Sequence, residues 1–292
     1  MKKQLRILIP IVLGIFFIYI TYRLTSQAER LLIWNYIKSA QIQYVVGAML
    51  FGASADVIRG LRWQLLSKAI GYSSGTINSI ASVFMCYTSN MAIPRSGEII
   101  RATALSEYNK IPIGKTFGTI AAERVIDISI SILILFLVWI LQYDVILESF
   151  FKEDYLMFID NNFWLIFSTV NIFIAIIFIL ITRVKKIKRF FKSVLEGFLS
   201  LTKLKKKLFP FILLSLLIWT CYVLAFFTIK FSVTELNVID SSLIFPAFVV
   251  GVFSISLSNH GLGVYPLAIA LFLSNFGIST EIGLTYGWLA WS

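Results

Sequence analysis

A few ionisable residues inside apolar stretches set the chemistry open to this chain. Glu123, Arg124 and Asp127 interrupt the apolar run Thr116 to Leu141. If a helix enters hydrocarbon near Lys115, Asp127 lies about 18 Å deep, close to the midplane of a core about 30 Å thick. Glu123 and Asp127 are four residues apart and share a helix face, where two carboxylates repel. Either one takes up a proton, or an arginine such as Arg59, Arg62, Arg101 or Arg124 neutralises the pair. The arrangement serves proton carriage or substrate binding, the alternative being an ion-pair network that supports the fold alone.

A second constellation is Pro94-Arg95-Ser96-Gly97-Glu98, with Arg101 one turn on. Proline and glycine break a helix there and free backbone amides; with two guanidiniums beside them, such a break can hold a lipid phosphate. The competing account is a Glu98 to Arg101 pair at i and i+3 that locks the break. Arg59 and Arg62 are either further substrate ligands or, with Trp63, snorkelling anchors at a helix end, and Asp56 is spaced to pair with Arg59. Asn259, Gly261 and Gly263 flank His260 at another break, where the glycines permit a tight turn and the histidine reads as a hydrogen-bonded structural residue.

These residues need a bilayer around them. The chain has 292 residues, 58% hydrophobic and 14% charged, with a mean hydropathy of +0.85, too apolar for a fold with a wet surface. Its apolar runs approach the roughly 20 residues of a spanning helix, so the expected class is an all-α polytopic helical bundle, one transmembrane domain over 1–292. The leader Met1 to Arg6 precedes Ile7 to Tyr22 with no small-residue cleavage site, and we read it as a retained first helix. The net charge of +11 sits beside apolar segments, which points to anionic phospholipid and away from nucleic acid. Cys86 and Cys221 lack a CxxC spacing, the chain has one histidine, and no GxxxxGK[ST] loop is present. No metal, disulfide or cofactor is expected.

Charge asymmetry orders the spans. Arg183 to Lys207 carries ten basic residues against Glu196, so it is assigned to the cytoplasm, either as an amphipathic interfacial helix (183–207) or as a solvated basic loop. The acidic stretch Asp144 to Asp160 is assigned outside, with Asn162 to Thr182 spanning between them. Working backward, Thr116 to Leu141 starts inside, Tyr44 to Leu66 returns the chain inward, and the N-terminus is cytoplasmic; Arg23, Arg30 and Lys38 outside are a mild exception. Parity then requires Ile77 to Ile113 to enter and leave on the inner face, as a re-entrant helical hairpin. After Leu208 to Phe231, the broken stretch Ser242 to Phe276 gives a matching outer hairpin. About six spans and two hairpins result, with half 162–292 the topological inverse of half 1–142. Pro94 to Gly97 aligns with His260 to Gly263, and Ala104-Leu105 with Ala270-Leu271. Glu281 to Ser292 holds twelve residues, about 18 Å of helix. Either it is a tilted partial span or the chain stops short of its natural end, and the second is expected.

The string Asn90-Met91-Ala92-Ile93-Pro94-Arg95-Ser96-Gly97-Glu98-Ile99-Ile100-Arg101, then Glu123-Arg124-Val125-Ile126-Asp127, then Gly261-Leu262-Gly263-Val264, resembles the transmembrane region of lysylphosphatidylglycerol synthases and its stand-alone flippase-like relatives. The order and spacing fit over most of the chain. The resemblance implies a bacterial or archaeal inner-membrane protein that moves lipid between leaflets. It does not extend to the soluble aminoacyl-transfer domain of those synthases, so lysyl transfer is not expected.

The first reading is therefore a translocator of a lipid or lipid-linked carrier, its opposed hairpins forming a cavity that opens to either leaflet and any coupling coming from protons at Glu123 and Asp127 or from the membrane potential. On this reading a transporter is expected and not an enzyme. The alternatives are an intramembrane enzyme acting on a lipid phosphate or sugar, and a scaffold for a separate lipid-modifying enzyme.

Overall fold

The computed structural model describes residues 2–93, 96–141, 204, 207–255 and 259–292. All regular elements among them are helical: α1 (Lys2–Leu24), α2 (Gln27–Lys38), α3 (Ile42–Ala69), α4 (Thr76–Ala92), α5 (Gly97–Asn109), α6 (Ile113–Leu141), α7 (Leu208–Ile229), α8 (Ser241–Ser254), α9 (Val264–Ser274) and α10 (Thr280–Trp291), with short 3-10 turns after α7 and before α9. Three are long and apolar enough to cross a membrane: α3, α6, and α7 with its extension to Ser232. The acidic stretch 144–160, the expected span 162–182 and nearly all of the basic segment 183–207 lie outside the described residues.

The longest helix contact joins α3 to α7. α3 buries Ala55, Arg59, Arg62, Trp63 and Leu66, and α7 buries Phe211, Ser215, Ile218, Trp219 and Phe226. Both sets recur at three-, four- and seven-residue intervals, one stripe of a helix. The opposite faces carry exposed Met49, Leu50, Leu213 and Leu217, the pattern of helices whose outer surface meets lipid.

Each expected break separates two packed helices. In the first, α4 turns into α5 through Ile93 and Ser96, while Pro94 and Arg95 lie outside the described residues. Ser96 Oγ donates to the Ile93 and Ser89 carbonyls, and the Gly97 amide donates to Asn90 Oδ1 at 2.7 Å. A Cβ on residue 97 would stand 2.1 Å from the Cys86 carbonyl oxygen, so only glycine allows this closeness. In the second, α8 and α9 pack against each other, and His260, Gly261 and Gly263 have φ of 54°, 77° and 71°. The glycines adopt this left-handed backbone at little cost and His260 does not. The second break lies against α4, where the rings of Tyr87 and His260 are 6.2 Å apart.

One segment departs from the expected layout. Residues 27–38 form an additional amphipathic helix, α2, started by a capping box in which Ser26 and Glu29 exchange hydrogen bonds. Arg30 stacks over Tyr22 at 3.7 Å and Lys38 stands 5.0 Å over Trp34, which gives those basic residues local partners. At the other end, α10 packs closely on α9: a Cβ at Gly283 would lie 2.7 Å from Ala270 Cα, and one at Gly287 2.5 Å from Pro266 Cα. Small residues permit such approach between helices in lipid. Tyr286 also ties α10 to α7 by donating to the Phe226 carbonyl at 2.8 Å.

Candidate functional site

The ionisable residues converge where α3, α5, α6 and α7 meet. Asp127 accepts from Arg59 Nη1 and, at 2.8 Å, from Arg62 Nη1. Arg62 Nε lies 3.4 Å from Glu123, whose other oxygen lies 2.8 Å from Arg101 Nη1. The chain Arg59, Asp127, Arg62, Glu123, Arg101 is continuous and buried, with Arg62 fully enclosed and Glu123 1% exposed. Isolated charges so placed would cost several kcal/mol each; alternating signs remove most of that cost. A second pair, Arg124 to Glu98 at 2.9 Å, is half-exposed at the edge of this cluster.

Among the described residues no ion pair forms within one helix. Glu98 binds Arg124 on α6 instead of Arg101 on its own helix, and Arg101 reaches across to Glu123. Arg59 and Arg62 do not snorkel, because both point into the bundle, and Trp63 is enclosed with its indole N–H donating to Thr119 Oγ1 at 3.0 Å. Glu123 and Asp127 are neutralised by arginine, as the charge argument requires of one alternative.

Pairing leaves several guanidinium donors unused. Arg59 Nε, Arg62 Nη2, and Arg101 Nε and Nη2 are buried and make no hydrogen bond. Arg59 Nη2 donates to the Tyr222 hydroxyl at 3.3 Å, and that hydroxyl donates to Asp56 Oδ1 at 3.5 Å. Arg62 also donates to Ser215 at 3.0 Å. Tyr222 and Ser215 carry no signal in the sequence, because hydroxyls within an apolar span barely lower its hydropathy.

A cavity of about 600 Å³ opens beside this cluster, within the range of roughly 300–1,000 Å³ of ligand sites. Arg59, Arg124 and Asp127 form its charged end, with Tyr87, Tyr222 and His260 nearby; Val45, Met49, Ala225, Phe226, Phe248 and Val252 form its apolar walls. Of the residues singled out in the sequence, the cavity gathers Arg59, Arg124 and Asp127, while Arg62, Arg101 and Glu123 stand behind them. Gly97 and Gly263 serve backbone approach, the latter against Gly14 and Ile18 of α1, and Gly261 packs on Tyr265 and Ile255. The His260 carbonyl accepts from Trp291 Nε1 at 2.8 Å. Among the described residues no group of histidine, cysteine and carboxylates could hold a metal ion.

An all-helical bundle with membrane-capable helices and a buried charged cluster defines an integral membrane protein, and comparison places it more closely. The chain belongs to the lysylphosphatidylglycerol synthase transmembrane region family, whose model matches residues 7–290. It is 32% identical over 154 residues to the UPF0104 membrane protein MJ1595 of Methanocaldococcus jannaschii, covering 51% of this chain and 44% of that protein. It is also 29% identical over 72 residues to the glycosyltransferase AglD of Haloferax volcanii, covering 24% of this chain and 12% of that protein. The matches span less than half the length of either relative. No solved structure matches the chain significantly.

Proposed function

We propose that this protein is a flippase-like translocator that moves a phospholipid or lipid-linked carrier between the leaflets of a cytoplasmic membrane, its head group held by arginine. The observation that carries the reading is the two-part lining of the cavity, guanidinium and carboxylate at one end and aliphatic and aromatic walls beyond. A molecule matching both parts is amphipathic, with an anionic head and a hydrocarbon tail. The head group sits at Arg59 and Arg124, beside the first break. Two re-entrant hairpins of an inverted repeat, meeting at Tyr87 and His260, would let the cavity open to one leaflet and then the other. Membership of a family named for lysylphosphatidylglycerol synthases supports a lipid as the substrate. The chemistry belongs to a separate lipid-modifying enzyme, a partner in keeping with the stretch shared with a named glycosyltransferase.

The test is reconstitution into vesicles carrying a panel of fluorescent anionic, zwitterionic and lipid-linked sugar probes, followed by chemical quenching from outside. Wild-type protein should expose one class of probe from the inner leaflet. Arg59→Lys keeps the charge but cannot reach Asp127 and Tyr222 with two nitrogens at once, so lipid movement should fall about tenfold or more with the thermal transition retained. Failure to move any probe faster than protein-free vesicles would sink the reading.

A further inference from the structure

Asp56 differs from every other carboxylate of this region. Glu98, Glu123 and Asp127 each lie in an ion pair with arginine. Asp56, half-buried on α3 less than one turn before Arg59, has no ion pair among the described residues. Its hydrogen bond is the long one from Tyr222, the hydroxyl that also accepts from Arg59. The charged and titratable groups acting on this corner are Arg59 of α3, Arg101 of α5 and Tyr222 of α7, with Tyr87 of α4 and Glu123 and Asp127 of α6 acting through Arg59. Arg124 and His260 complete the polar end of the cavity.

Charge balance gives Asp56 its role. Arg59, Arg62, Arg101 and Arg124 bring four positive charges against the three paired carboxylates, and Asp56 is the fourth negative charge. With Asp56 ionised the cluster is neutral; with Asp56 protonated it carries one positive charge in excess. Excess charge in a low-dielectric bundle is costly, so a proton on Asp56 and an anion beside Arg59 each lower the cost of the other. Glu123 and Asp127 are less suited, since each already faces two guanidiniums.

We infer that Asp56 is a proton-binding site linked to the head-group site, so that one proton and one monoanionic phosphodiester bind together. This rests on the lipid reading above. The proton passes from the buffer acid of the surrounding solution, whose bond to it breaks, to the Asp56 carboxylate, where an O–H bond forms; on release of the anion it returns to solution, and no other bond changes. The pair carries no net charge across the membrane, so movement follows a pH gradient and not the membrane potential. Linkage makes the effect reciprocal, with proton and anion each tightening the binding of the other by the same factor.

Calorimetry of the purified full chain with dihexanoyl phosphatidylglycerol, repeated in two buffers of different protonation enthalpy, counts protons taken up per anion bound. Wild type should take up roughly one at about pH 7. Asp56→Asn should bind with no uptake and with affinity indifferent to pH, while Asp56→Glu keeps the uptake. Binding by wild type without proton uptake, or equal uptake by Asp56→Asn, overturns the proton site and leaves the lipid reading standing. No binding by wild type overturns both. If Asp56→Asn does not fold, the wild-type count and Asp56→Glu decide.

Discussion

Arg101 pairs with Glu123 across the α5–α6 interface at 2.8 Å, although Glu98 stands one turn away on its own helix. Glu98 makes the reciprocal crossing to Arg124. The first hairpin is therefore fastened to α6 by two ion pairs. Both residues of the Arg101–Glu123 pair are buried, so Arg101→Ala exposes Glu123 to an unbalanced environment and should cost about 3–5 kcal/mol of stability. Arg101→Lys should cost much less, because a single nitrogen makes the existing contact. Thermal unfolding in detergent separates these outcomes; equal loss in both variants would mean that guanidinium shape, not charge, holds the hairpin.

Two glycines give opposite expectations. Gly97→Ala drives a methyl group into the Cys86 carbonyl and should destabilise by about 1–3 kcal/mol, or prevent the hairpin from closing. Gly114→Ala meets nothing within 4 Å on α6 and should be neutral or stabilise by up to about 1 kcal/mol. The comparison is read from unfolding temperatures of the two variants.

The apolar wall can be tested by filling it. Ala225 lines the cavity from α7, and a tryptophan there would occupy much of the volume beside Tyr222. Ala225→Trp should reduce lipid movement at least about tenfold while leaving the ion pairs and the unfolding temperature close to wild type. Unchanged transport in vesicles would place the lipid path elsewhere.

Topology is decided by labelling. With Cys86 and Cys221 replaced by serine, a cysteine at position 153 should react with an impermeant maleimide in intact cells, and one at position 203 only after permeabilisation. The reverse pattern would overturn the orientation and the inverted order of the two halves.

Much of this arrangement was legible because hydrocarbon makes charge conspicuous. Glu123 and Asp127 stand out in an apolar run, and Pro94 and Gly97 mark a break that the helices respect. Pairing was less legible: the three-residue spacing of Glu98 and Arg101 favours a local bond, but packing of α5 on α6 gives each a partner across the interface. α2 was missed although Ser26 and Glu29 carry a capping-box spacing, because its twelve residues are too few and too polar to span. Tyr87, Ser215, Trp219 and Tyr222 join the site only through contacts between helices distant in sequence, which periodicity along one helix does not reveal.

Every ion pair of the described residues joins elements that precede residue 142, while the polar contacts of these residues with α7 are hydroxyl contacts, such as Arg62 with Ser215 and Arg59 with Tyr222, and the second break meets α4 through the rings of Tyr87 and His260. A hydrogen bond of this kind is worth roughly 1 to 3 kcal/mol, against about 3 to 5 kcal/mol for disrupting a buried ion pair. The polar contacts that tie the charged cluster to α7 are thus the weaker ones, and the hold of α7 on α3 comes instead from the apolar stripe of Phe211, Ile218, Trp219 and Phe226. Loosening that stripe would leave the charged cluster intact as a rigid block.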